Sequence, residues 1–342
     1  MGIAEENVTD QSGDELLKEI AEGLTEIEGR RLDCDFNRLK DFFPDVIPKL
    51  AFIDCTFVSN VSFLHLNMLG INFISCVFED FAAFENSSIE SCFFHECQFK
   101  KHASFSESIF KVRATFSDVK FTTASFSLAV FKKKALFYNC DVSEYLQLAN
   151  ISCSNSELIL NRMPVAFITF SPSQSEGFSV EDIDWPSLEQ IKQAGVVTES
   201  MCRAWKVRLR NMGDEWTASE WHLFEKELAL ERLSTGSNKV SYFFLACYGW
   251  VSRYGESPER ASKVLAALII APFVFALIHM RPEIKLNEEW ASYALGFIPL
   301  LSKASVSLNL SVFEKCGQIV WQGFLAIQSS LLALAVRNKV RR

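Results

Sequence analysis

Among 342 residues there is no HxxxH or HExxH around the five histidines, no CxxC among the ten cysteines, and no GxSxG, GxxxxGK[ST] or GxGxxG anywhere. These absences remove the zinc-hydrolase, serine-hydrolase, P-loop and dinucleotide chemistries, so the expectation is a non-enzyme with no catalytic residues, no cofactor and no bound metal. Basic charge is lacking too. A net charge of -8 leaves no footprint for a phosphate backbone, so nucleic acid is not expected as a partner. No positively charged leader with an apolar run opens the chain, so its N-terminal part is expected in the cytoplasm, with its cysteines as free thiols. Tyrosine is scarce at 6 residues against 31 phenylalanines, so something in the chain uses one large apolar ring repeatedly.

That use is periodic. Phe52, Phe57, Phe63, Met68, Phe73, Phe78, Phe84, Ile89, Phe94, Phe99, Phe105, Phe110, Phe116, Phe121, Phe126, Phe131, Phe137 and Val142 recur in steps of five, with an occasional six. A helical stripe recurs at three and four and a half-buried strand at two, so neither accounts for the spacing. A fixed period of this kind marks a repeat architecture. Two residues before each central position stands a small or uncharged side chain such as Cys55, Cys76, Ala82, Cys97 or Ala103. Residues two apart in an extended segment point to the same side, so each unit sends one large and one small side chain inward. The first steps of six return every 21 residues, which suits a square coil of four short faces. The expected core includes Phe73, Phe78, Phe94 and Phe99 with Cys76 and Cys97. One ladder runs Cys55, Cys76, Cys97, Val119, Cys140, and another Val61, Ala82, Ala103, Ala124.

A central Phe or Leu with a small residue two before it resembles the pentapeptide-repeat proteins. The resemblance implies a right-handed quadrilateral β-helix, a scaffold rather than an activity. On this reading residues 1–31, with nine acids, are a solvated tail, and 32–175 form the solenoid. Leu32 to Pro48 act as its cap, and Ile151 to Phe170 add a coil in weaker register. Some members of that family mimic DNA by their acidity. Residues 50–150 instead hold ten acids and eight bases, including the run Lys132, Lys133, Lys134, which argues against mimicry here.

Past residue 175 helix formers replace the rhythm. Residues 176–238 read as a helical connector broken at Gly213 and Asp214, and 239–342 as a membrane domain. The latter has an aromatic interfacial helix near 240–252, spans at 264–280 and 319–336, and a short apolar segment at 290–301. Arg253, Arg260 and Lys263 precede the first span and four bases in six residues follow the second, which by the positive-inside rule places both termini in the cytoplasm. Gly213–Asp214, then Tyr254, Gly255, Ser257, Pro258 and Arg260, then Arg337 and Asn338 resemble motifs of bacterial membrane pentapeptide-repeat proteins, some of them laid out like two-span potassium channels. This chain lacks the TVGYG filter and carries LGFIPLLSK in its place. The expectation is an inner-membrane, homo-oligomeric scaffold that touches lipid and takes a protein partner on its solenoid. The alternative is a channel or pore-forming effector with Gln322, Gln328, Ser329, Ser302 and Lys303 at its pore or gate.

Overall fold

The computed structural model describes residues 9–153, 157–170, 178–279, 288–299 and 311–340. The chain divides into two units, residues 1–208 and 209–342.

The first unit is a parallel β-solenoid of about seven turns built from two ten-stranded sheets. Most strands are short because each face lasts only one five-residue unit before the chain turns. Register is set by the apolar positions: Ile27, Phe52, Phe73, Phe94, Phe116, Phe137, Leu160 and Val180 pair in succession along one face. Phe57, Phe78, Phe99, Phe121 and Val142 do the same on the next. Phe63, Phe84, Phe105 and Phe126 stack ring on ring at 5.0, 4.7 and 4.6 Å. Ile47, Met68, Ile89, Phe110 and Phe131 complete the square. Stacked rings on one face meet their neighbours edge-on, as Phe73 does with Phe84 at 5.9 Å, so the two favoured aromatic geometries alternate through the core.

Both expected ladders of small residues form. Val61, Ala82, Ala103 and Ala124 are Cα partners in register. The thiols of Cys76, Cys97 and Cys140 each donate to a carbonyl one coil back, those of Phe52, Phe73 and Phe116, at 3.3, 3.4 and 3.4 Å. Burial pushes the Cys140 thiol up to about 12, so it stays neutral and packs as a small apolar group.

Two corners of each coil need a left-handed residue. One series is Asp54, Ser75, Glu96, Asp118, Asn139, and the other His65, Asn86, Glu107, Leu128, Asn150, all with φ between 51 and 61°. Asn and Asp tolerate this region because their short polar side chains bond locally, whereas leucine has no such compensation. Leu128, at φ 61° and half exposed, breaks the pattern. Leu128→Asn is expected to stabilise the solenoid by about 1 kcal/mol, read as a raised thermal midpoint.

The solenoid begins earlier than the sequence reading placed it. Residues 9–31 are not a solvated tail: Thr9–Ser12 pairs with Arg30–Asp33, Glu26–Glu28 pairs with Ala51–Ile53, and helix α1 (Gly13–Ala21) buries Leu16, Leu17 and Ile20. Asp14, Glu15, Glu22, Glu26 and Glu28 occupy exposed positions between these apolar residues. Nor is Leu32–Pro48 a cap. It contains a 3₁₀ turn, Phe36–Arg38, and helix α2 (Leu39–Phe42), yet Phe36 stacks on Phe63 at 4.6 Å inside the coil.

At the other end, strands Glu157–Asn161, Ile168–Phe170 and Phe178–Glu181 extend the stack. Helix α3 (Leu188–Ala194) starts in a capping box of Ser187 and Gln190 and stops at Gly195, φ 69°. Helix α4 (Glu199–Asn211) supplies Trp205, fully buried and edge-on to Phe170 at 5.2 Å and Trp185 at 5.4 Å, which closes the core.

The second unit is helical: α5 (Glu215–Thr235), α6 (Lys239–Ser252), α7 (Pro258–His279), α8 (Glu288–Leu295) and α9 (Val312–Val340). The expected break at Gly213–Asp214 has a capping logic. Gly213 takes φ 84° after α4, and the Asp214 carboxylate accepts the Thr217 N–H at 3.0 Å to start α5.

Candidate functional site: the apolar helix pair

Two helices of the second unit, α7 and α9, are long and apolar enough to cross a membrane. In each, only 17% of the most apolar stretch is buried. Ile270, Val274, Ile278, Ile319, Val320, Phe324 and Ile327 stand largely in the open. Helix α6 also exposes Val240, Phe243, Phe244 and Trp250.

The turn between α6 and α7 explains the Tyr-Gly-x-Ser-Pro-x-Arg sequence residue by residue. Arg253, Tyr254 and Gly255 are consecutively left-handed, with φ 51, 57 and 79°. At φ 79° Gly255 takes a conformation that favours glycine, and a Cβ there would lie 2.7 Å from the Tyr248 hydroxyl, which would have to move. Ser252 Oγ, fully buried, accepts the Gly255 N–H at 3.0 Å and donates to the Tyr248 carbonyl at 3.1 Å. Ser257 Oγ then accepts the Arg260 N–H at 3.3 Å, and Pro258 occupies the first helical position, where a missing N–H costs nothing. Asn338, near the end of α9, donates to the Gly255 carbonyl at 3.0 Å, which brings the distant Arg-Asn motif onto this turn. Lys339 reaches over the Trp216 ring of α5 at 5.8 Å.

Further along, α9 runs antiparallel to α7 and places polar donors on main-chain carbonyls. Pro272 has no N–H, so the Leu268 carbonyl four residues back loses its helical partner. Trp321 Nε1 fills that gap at 3.0 Å. Gln328 Nε2 donates to Ala261 O at 2.7 Å, and Gln322 Nε2 to Gly296 O, just past the end of α8, also at 2.7 Å. Ser329 Oγ bonds back to its own helix at Leu325 O, 2.8 Å. Of the pore or gate candidates, Gln322, Gln328 and Ser329 therefore bond within the chain, while Ser302 and Lys303 lie outside the described residues. Trp321 was not singled out from sequence, although Pro272 was visible there and implied an orphaned carbonyl needing a donor.

Trp321→Phe keeps the ring and removes the donor. In detergent it is expected to cost about 1–3 kcal/mol of thermal stability, and Pro272→Ala, which restores the main-chain N–H, should recover most of that loss.

Beside these bonds, Ala267, Ala271, Pro272, Phe297, Gly317 and Trp321 help line an almost wholly apolar groove of about 770 Å³. Nothing in it offers acid–base chemistry, and among the described residues no group of His, Cys, Asp and Glu is placed to hold a metal ion. Neither protein-family models nor curated protein sequences give a match to this chain.

Proposed function

We propose that this chain is a membrane-anchored solenoid scaffold: α7 and α9 span the bilayer and the coil stack presents an interaction surface in the cytoplasm of a bacterial cell. The observation that carries the reading is the exposure of the two apolar helices. A soluble domain buries such faces, whereas lipid covers them at no cost. The 22 residues of α7 extend about 33 Å, close to the thickness of a hydrocarbon core. Because α7 and α9 are antiparallel, Arg253, Arg260, Lys263, Arg337 and Lys339 gather at one end of the pair, which supports a cytoplasmic position for that end.

In the alternative reading the spans of several copies surround a pore. The inward bonds of Gln322 and Gln328 favour the scaffold, since a polar pore lining would need those amides free. Two measurements divide the readings. The scaffold predicts that the chain stays in the membrane pellet through alkaline carbonate washing and that reconstituted vesicles hold their ion gradients. Release by carbonate sinks the anchor, and sustained ion flux sinks the scaffold in favour of the pore.

A further inference from the structure

Several cations elsewhere on the solenoid meet a carboxylate one coil away. Lys100 bonds Glu79 and Lys101 bonds Asp80, each at 2.8 Å, and Arg162 bonds Asp182 at 2.6 Å. One corner does the opposite. The register puts Arg113 directly opposite Lys134, and it puts Lys111, one residue past Phe110, beside Lys132, one past Phe131. Lys133 lies between. Like charges set opposite each other on neighbouring strands repel, so this corner weakens the fold that carries it.

Its charges are also poorly neutralised. Lys134 reaches Glu157 at 3.4 Å and Lys111 donates to the Asn67 side-chain oxygen at 3.3 Å. Among the described residues, Arg113, Lys132 and Lys133 have no ion-pair partner, and all three are exposed. The band is bounded on both sides: Glu90 precedes Ser91, the partner of Arg113 one coil earlier, and Glu157 is the partner of Lys134 one coil later. It is thus two coils high, about 10 Å, and runs along the strands.

We propose that this band, Lys111, Arg113, Lys132, Lys133 and Lys134, docks an extended acidic segment of a partner protein; the inference rests on the scaffold reading and gives that partner its chemistry. Carboxylates two residues apart on an extended chain recur at about 6.6 Å, suited to a strip of cations laid along a strand. A bilayer surface is broad and would meet Glu90 and Glu157 as well as the cations. Single-stranded nucleic acid binds through aromatic platforms, and the rings of Phe110 and Phe131 point into the core instead.

The test uses the full chain in detergent and a fluorescent ten-residue glutamate peptide, with short-chain phosphatidylglycerol and an oligothymidylate as competing probes. The peptide is expected to bind the native chain with an affinity that falls as salt rises. The fourfold variant Lys111→Gln, Arg113→Gln, Lys132→Gln, Lys133→Gln is expected to bind it about tenfold more weakly or worse, while melting at the same or a higher temperature. Lys100→Gln with Lys101→Gln should leave binding unchanged. Equal binding by the fourfold variant overturns the proposal, as does tighter binding of either competitor than of the peptide, or a lowered melting temperature that marks the band as structural. Carbonate resistance and vesicle tightness do not depend on these lysines, so the anchor stands or falls separately.

Discussion

Phe94→Ala is expected to destabilise the solenoid by about 3–5 kcal/mol, a drop of about 10 °C in its melting temperature. Phe94 is fully buried, stacked on Phe73 at 4.9 Å and Phe116 at 5.0 Å, and edge-on to Phe84 at 5.7 Å and Phe105 at 5.6 Å. Removing the ring takes its own burial and one half of each pairing, and backbones held by ladder bonds above and below cannot close the void. Solenoid stability is approximately a sum over neighbouring coils, so the loss falls on the junctions with both adjacent turns. Phe93 supplies the control. It is the preceding residue of the same strand, is only partly buried and points outward, and Phe93→Ala should cost about 1 kcal/mol or less. Equal effects at the two positions would contradict the inward assignment of the five-residue register.

Lysine at Ile270 together with lysine at Phe324 is expected to abolish stable membrane insertion. Both positions lie near the middle of their helices and are more than half exposed. A lysine at the centre of a span costs about 2.5–3.5 kcal/mol on insertion scales, and one near the middle of each helix leaves neither a short route to an interface. The measurement is the carbonate-resistant fraction of the expressed chain. Ser262→Lys, at the exposed start of α7 among existing bases, should leave that fraction unchanged. A doubly substituted chain that stays in the pellet, or leaves it folded and soluble, would show that these faces meet something other than lipid.

Much of this architecture is legible in the residues because a five-residue period has few solutions. Phe52 through Val142 give the faces, and the steps of six give the 21-residue turn. Legibility fails where the spacing or the residue type departs from the rule. From Ile27 to Phe52 the step is 25 residues, because Phe36–Phe42 folds as a short helical excursion, and that change of period hides the first coil among the acids of the N-terminal segment. Past Phe137 the same face continues with Leu160 and Val180, whose smaller side chains no longer announce the register. In the second unit the two long apolar helices are readable from length and composition. The targets of Trp321, Gln322 and Gln328 are not, since which carbonyl a donor meets depends on how two helices lie together. The lysine run is plain in the sequence, but that Lys134 stands opposite Arg113 follows only from the pairing of coils.

The donors along α9 have a mechanical consequence. Leu268, Ala261 and Gly255 offer carbonyls at three levels of the α7 side, and Trp321, Gln328 and Asn338 meet them in one alignment. Sliding α9 by a single turn, about 5.4 Å, would break all three bonds at once, with the largest cost at the Trp321–Leu268 bond, which lies furthest from the charged end of the pair. The two helices are therefore cross-linked against sliding at three points along their length.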